Sequence, residues 1–281
     1  MKEIIAAVDF SECSVNAAEH ALSIAAHAMT DLKLVYVFNK NQNQKTIFKY
    51  HDPIDEATQL LEELKGKFQP MLPENSVLYK IREGKVYKEV VTEANESNAL
   101  MIVTGTHGSS GFEELWIGSN AYRIICSANC PVITLREGVK PERDLRRIVL
   151  PIDETLTTRQ KVPHATFLAS LFDAEIHVLA LFQSSMKEIQ DKVIKYAKQA
   201  CAHLEKNKIK FLMTSVKCKN PTDATIEYAT KVDANLIVIM TDQTTSFKNL
   251  FLGPYAEQMI HRSPIPVMSI RPKDLISVMS R

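Results

Sequence analysis

Nowhere in the 281 residues do ~18 apolar side chains run together, so no stretch reads as a membrane-crossing helix. Charge of one sign is missing too. Lys and Arg number 34 against 33 Asp and Glu, a net charge of +1, which gives no general attraction to nucleic acid or to an acidic membrane. The opening MKEIIAAVDFSE places one lysine beside acidic residues and lacks the pattern of a secretion signal. Cysteine is scarce: five, an odd count with no framework spacing, which suits a reducing compartment and leads us to expect a cytoplasmic protein. Neither GxxxxGK[ST] nor GxGxxG occurs, which removes the P-loop and the dinucleotide fingerprint. No Ser/His/Asp set assembles from sequence proximity, so no catalytic residues are assigned. Cys126 and Cys130 lie four apart on one predicted helix and read as packing or a chance pair, so no metal site is assigned either.

What is present is concentrated in residues 101–136, MIVTGTHGSSGFEELWIGSNAYRIICSANCPVITLR. An apolar run, Leu100 to Val103, predicts a buried strand that ends at Gly105. Gly105, Gly108 and Gly118 then follow at fixed spacing, with Ser119 behind the last. Ala121, Ile124, Ile125 and Ala128 recur at helical spacing, Pro131 ends that segment, and Val132 to Leu135 predicts another strand. A glycine-rich connection from a strand into a helix N-terminus suits an anion, because the backbone can approach closely and the first N–H groups of the helix lack partners.

The chain repeats itself. Residues 101–136 align without a gap on 236–271 at an offset of 135, pairing Phe112 with Phe247, Leu115 with Leu250, Gly118 with Gly253, Pro131 with Pro266 and Arg136 with Arg271. Upstream, Ile4 to Val8 ends at Asp9, with Ser11 a candidate N-cap for a helix whose apolar face carries Ala18, Ala21, Leu22, Ala25 and Met29. Ile148 to Ile152 ends likewise at Asp153. Further strands are expected at Leu32–Phe38, Val77–Ile81, Ile176–Leu181, Ile209–Val216 and Leu236–Ile239. Helices are expected from Pro53, over Val86–Ala94, and over 159–171, 186–206 and 223–232. Alternating strands and helices predict an α/β fold with parallel sheets, one per half. Residues 1–137 and 147–281 are the two domains, with a charged linker over 138–146. Asn39 to Lys49 is a polar, basic insertion without a period.

Gly105, Gly108, Gly118 and Ser119 match the G-x2-G-x9-G-[S/T] signature of the universal stress protein family in its ATP-binding branch, and the chain resembles a tandem two-domain member throughout. The resemblance implies two five-stranded, Rossmann-like domains of the nucleotide-α-hydrolase, adenine-binding type, forming an internal pseudo-dimer through Val132–Leu135 and Val267–Ile270. It also leaves room for a homodimer. It implies ATP, with or without Mg2+, as ligand: Asp9 and Val37 at the adenosine end, and Gly105, Thr106, His107, Gly108, Gly118, Ser119 and Asn120 around ribose and phosphates. Ser119 is expected to cap the helix and offer a hydroxyl to a phosphate oxygen.

The second half departs from this signature. Met240 replaces Gly105, Gln243 replaces Gly108 and Pro254 replaces Ser119, although Asp153 is kept. Side chains with Cβ atoms block close backbone approach, and proline removes an N–H. One nucleotide site per chain is therefore expected, in the first half. The resemblance and the residues together favour a stress-response binding and signalling module rather than an enzyme, since no general base or metal-binding acidic pair stands beside the loop and the strings HIGH and SGGxDS are absent. Three alternatives stay open: a slow ATP hydrolase, a scaffold that binds no nucleotide, and a lipid or small-molecule binder. The protein partner is not named by the sequence.

Overall fold

The computed structural model describes residues 2–39, 53–106, 118–138, 143–241 and 251–272. His107, Gly108, Trp116, the Asn39–Lys49 insertion (save Asn39) and Gln243 fall outside them. The chain divides into two units, Met1–Arg143 and Asp144–Arg281. Among the described residues no helix is long and apolar enough to cross a membrane.

In unit 1, β1 (Glu3–Ala7), β2 (Asp31–Phe38), β3 (Val77–Glu83), β4 (Met101–Gly105) and β5 (Val132–Leu135) form a parallel sheet in the order β3-β2-β1-β4-β5. β1, β4 and β5 are near-continuous apolar runs because helices cover both sheet faces, and Ile4, Ile5, Ile102, Val103 and Ile133 are fully buried. The helices are α1 (Glu12–Ala28), α2 (Pro53–Phe68), α3 (Val86–Glu96) and α4 (Ser119–Ser127). Ser11 caps α1 as its sequence suggests, its hydroxyl accepting from the Ser14 N–H. Met29 does not lie on the buried face of α1. It takes a left-handed conformation (φ 50°) that ends the helix, and its side chain is exposed. α4 stops at Ser127, where Ala128 turns extended, three residues ahead of Pro131.

Unit 2 carries β6 (Arg147–Ile152), β7 (Glu175–Phe182), β8 (Phe211–Lys217), β9 (Leu236–Met240) and β10 (Val267–Ile270), again all parallel, in the order β10-β9-β6-β7-β8. Its helices are α5 (Val162–Phe172), α6 (Lys187–Lys206), α7 (Pro221–Lys231) and α8 (Pro254–Arg262). β7 starts 144 residues after β2, at Glu175 against Asp31, whereas β9 and α8 start 135 residues after β4 and α4. Unit 1 is thus longer between β2 and β4, where the polar insertion lies. The helix expected from Arg159 begins instead at Val162, after a separate 3-10 turn over Leu156–Arg159. Thr158, fully buried, accepts at its hydroxyl from the Asp153 N–H and the Lys161 Nζ, and Pro163 sits in the first helical positions, so the helix starts late.

Between the units' sequences, the segment read as a linker is partly anchored. The Arg143 guanidinium donates to the Asn16 carbonyl and side chain and to Glu19, all on α1, and Leu145 is fully buried.

Candidate functional site

The strand order reverses direction at β1 and β4 in unit 1. In an open parallel sheet, that switch point leaves a crevice outside the carboxyl ends of the strands, where ligands bind. β1 pairs with β2 through Ala7↔Val35 and with β4 through Ala6↔Val103. Continuing those registers by two and three residues sets Asp9 level with Val37 on one side and Thr106 on the other. Three of the residues singled out by sequence therefore come together at one sheet edge.

Each is held by its own chain. The Asp9 carboxylate accepts through Oδ1 from the Ser11 N–H (3.2 Å) and hydroxyl (2.6 Å), and its N–H donates to the Ser14 hydroxyl (3.2 Å). These bonds fix the carboxylate at the turn from β1 into α1. Phe10 inside that turn has φ 65°, a conformation that bulky residues adopt at a cost of about 1–3 kcal/mol, and its ring lies 5.1 Å from that of Tyr36. Nothing in the sequence signalled that strained position. Along β2, the Val35 carbonyl accepts from the Val8 N–H and so faces β1. Backbone direction alternates along a strand, so the N–H and C=O of Val37 face the same side, beyond the last β1 pair.

Gly105 ends β4 and is buried; Thr106 follows at 2% exposure. A Cβ on Gly105 would lie 2.6 Å from the Cys13 Sγ, whose thiol donates to the Leu135 carbonyl at 3.4 Å. The glycine is therefore required by the first turn of α1. Cys13 is a packing thiol, buried to 5% exposure. The Thr106 N–H donates to the Leu135 carbonyl, and the Thr106 carbonyl accepts from the Gly118 N–H at 2.8 Å. That last bond pins together the two ends of the segment 107–117.

Gly118, not Ser119, is the N-cap of α4. The Tyr122 N–H closes the first helical turn on the Gly118 carbonyl at 3.1 Å, which places Ser119 and Asn120 one residue further in, as the first two helical residues. Among the described residues no side chain caps this terminus. The N–H groups of Ser119, Asn120 and Ala121 are those a helix cannot satisfy internally, and the bond from Gly118 to Thr106 sets this helix start beside the end of β4.

Sequence comparison decides what this architecture is. The profile of the universal stress protein family matches residues 1–136 and again residues 144–271. The chain belongs to the universal stress protein family. A universal stress protein of Methanocaldococcus jannaschii is 30% identical over 149 residues, half of this chain and 84% of that one. The family member YxiE of Bacillus subtilis is 23% identical over 147 residues, 48% of this chain and 98% of its own. Among solved structures, a universal stress protein from Archaeoglobus fulgidus has the same fold over 97% of both chains (TM-score 0.73, 18% identity). A protein of unknown function from Pseudomonas aeruginosa PAO1 does so over 99% of this chain and 95% of its own (TM-score 0.67, 17% identity). The single-domain relatives match about half of the chain, as a tandem family member requires.

Unit 2 keeps one end of this arrangement. Asp153 accepts through Oδ1 from the Thr155 N–H (2.8 Å) and hydroxyl (2.6 Å), and its N–H donates to the Thr158 hydroxyl at 3.2 Å, reproducing the bonds of Asp9. The other end differs. Met240 ends β9 where Gly105 ends β4 and is 6% exposed, and Pro254 and Tyr255 open α8 behind Gly253. Burial and the neighbouring Asp153 push the Tyr255 phenol up beyond its ordinary value, partly offset by its hydrogen bond with Thr225, so its hydroxyl stays protonated.

Proposed function

We propose that this family member binds an adenine nucleotide, ATP foremost, in unit 1, and serves as a stress-response binding and signalling module rather than as an enzyme. The observation that carries this reading is the convergence of Asp9, the backbone of Val37 on the β1 side of β2 and the N-terminus of α4 at the β1/β4 switch point. The residues suit the halves of a nucleotide. A backbone N–H and C=O beside a carboxylate can pair with an adenine edge and a ribose hydroxyl. A carboxylate repels phosphate, so Asp9 belongs to the nucleoside end. The first-turn N–H groups and the Ser119 hydroxyl would receive phosphate oxygens, with the helix dipole adding to the attraction. The signature Gly105, Gly108, Gly118, Ser119 supports the same assignment.

A binding role fits the posture of the Asp9 carboxylate. Asp9 is tied by two hydrogen bonds from Ser11, an arrangement that holds a turn and leaves it poorly placed to draw a proton from water.

The test is a calorimetric titration of Mg-ATP into the full chain beside a Gly108→Ala/Gly118→Ala variant, with ADP release followed over hours. The expected result is about one ATP per chain, lost in the variant, with no release beyond one equivalent. Multiple turnovers would overturn the binding-module reading, and no binding at millimolar ATP would overturn nucleotide recognition itself.

A further inference from the structure

Unit 2 contains a cleft of about 490 Å3 at its own switch point, within the size range of small-molecule sites. Asp153, Glu154 and Thr155 from the end of β6 line one side, the start of α7 with Asn220 and Pro221 a second, and Pro254, Tyr255 and Gln258 of α8 a third. From these walls we infer that unit 2 binds a nucleoside or a close analogue without phosphates. This extends the reading of the Asp9 end in unit 1, because Asp153 repeats that end bond for bond.

Three observations set the ligand class. First, the cleft is rich in acceptors. Besides Asp153, the Glu154 Oε2 is shielded from solvent with no hydrogen-bond partner among the described residues, although a buried carboxylate oxygen ordinarily has one. Donors are what such a pair would take: ribose hydroxyls or a ring amine. Second, among the described residues the helix starts at the cleft are poor in free N–H groups for phosphate. Pro254 deletes the first N–H of α8. The Asn220 side chain accepts from the Thr222 and Asp223 N–H groups, so α7 is capped by its own chain. Among the described lining residues, one exposed lysine, Lys219, stands against two carboxylates. Third, Pro221 and the Tyr255 ring give the cleft apolar surfaces on which a planar base can lie.

The experiment compares the full-length chain with Gln258→Trp, in which an exposed α8 side chain becomes a plug over the cleft without touching the core. Adenosine, guanosine, cytidine and uridine are titrated by calorimetry, and ATP in parallel. We expect at least one nucleoside to show one site more per chain in the wild type than in Gln258→Trp, while the ATP stoichiometry is the same in both. A second variant, Glu154→Gln, should weaken that site by tenfold or more with the melting temperature held. Equal nucleoside stoichiometry in wild type and Gln258→Trp overturns the inference, as does loss of an ATP site in Gln258→Trp. Absence of ATP binding in every chain would count against unit 1 alone, since the nucleoside difference still reports on unit 2.

Discussion

Gly105 answers to packing before it answers to any ligand. Its missing side chain leaves room for the Cys13 Sγ, and a Cβ 2.6 Å away cannot be accommodated without movement. We expect Gly105→Ala to cost about 1–3 kcal/mol, the usual penalty of overpacking, read as a lower urea midpoint with unchanged slope. Cys13→Ala in the same chain should restore part of the loss, but not all, because the Cys13 backbone carbon would still stand 3.2 Å away. Equal costs in the single and double variants would mean that Cys13 is not the obstacle. Unit 2 shows how the same corner accepts Met240. Its 3-10 turn over Leu156–Arg159 replaces the first turn of the helix that brings Cys13 in. The sequence marked Gly105 and Met240 as different, but attributed the glycine to a ligand. The contact with Cys13 joins residues 92 positions apart, which no local pattern encodes.

At the scale of elements, the apolar runs were legible because both sheet faces are covered; β5 and β10 match their expected bounds residue for residue. Edge strands were less so, since β3 and β8 are made mostly of half-buried and exposed positions and run past their apolar residues to Glu83 and Lys217. Nor could sequence show how β2, β3 and α3 are joined. Lys33 on β2 bonds Glu93 on α3 at 2.9 Å and Glu3 at 2.6 Å, while Arg82 on β3 bonds Glu93 at 2.6 Å and also pairs with Glu89 and Glu96. Burial alone would raise the Glu93 carboxyl, but the bonds from Lys33 and Arg82 outweigh it and hold the group below its ordinary 4.5. A depressed carboxyl contributes stability that is complete above the unfolded value and is lost as pH falls through the folded one. Below pH 4.5 the wild type should therefore lose stability more steeply than Glu93→Gln, and at pH 7 the variant should be weaker by about 2 kcal/mol. Urea unfolding between pH 7 and pH 3 checks both. Parallel curves for the two proteins would remove the network from the account.

At the scale of the whole chain, two copies of one fold carry two different edges, so ligands should act on them separately. A nucleotide at one hundred times its dissociation constant stabilises what it binds by about 2.7 kcal/mol. Hydrogen exchange with Mg-ATP should then slow amides in β1, β4 and α4 and leave those of β6, β9 and α8 as they were. Slowing in both sets would assign nucleotide to both units. The duplication itself was visible in sequence from the ungapped second halves. The first halves were harder to align, because the offset changes from 144 to 135 across the insertion.

The bond between the Thr106 carbonyl and the Gly118 N–H has one more consequence. It is made by backbone atoms alone, so it is indifferent to which side chains stand at positions 107–117. Through this bond, selection on folding places no demand on the identity of those side chains. After a gene duplicates, one copy can drift in that stretch and acquire a new vocabulary while its sheet keeps the old grammar.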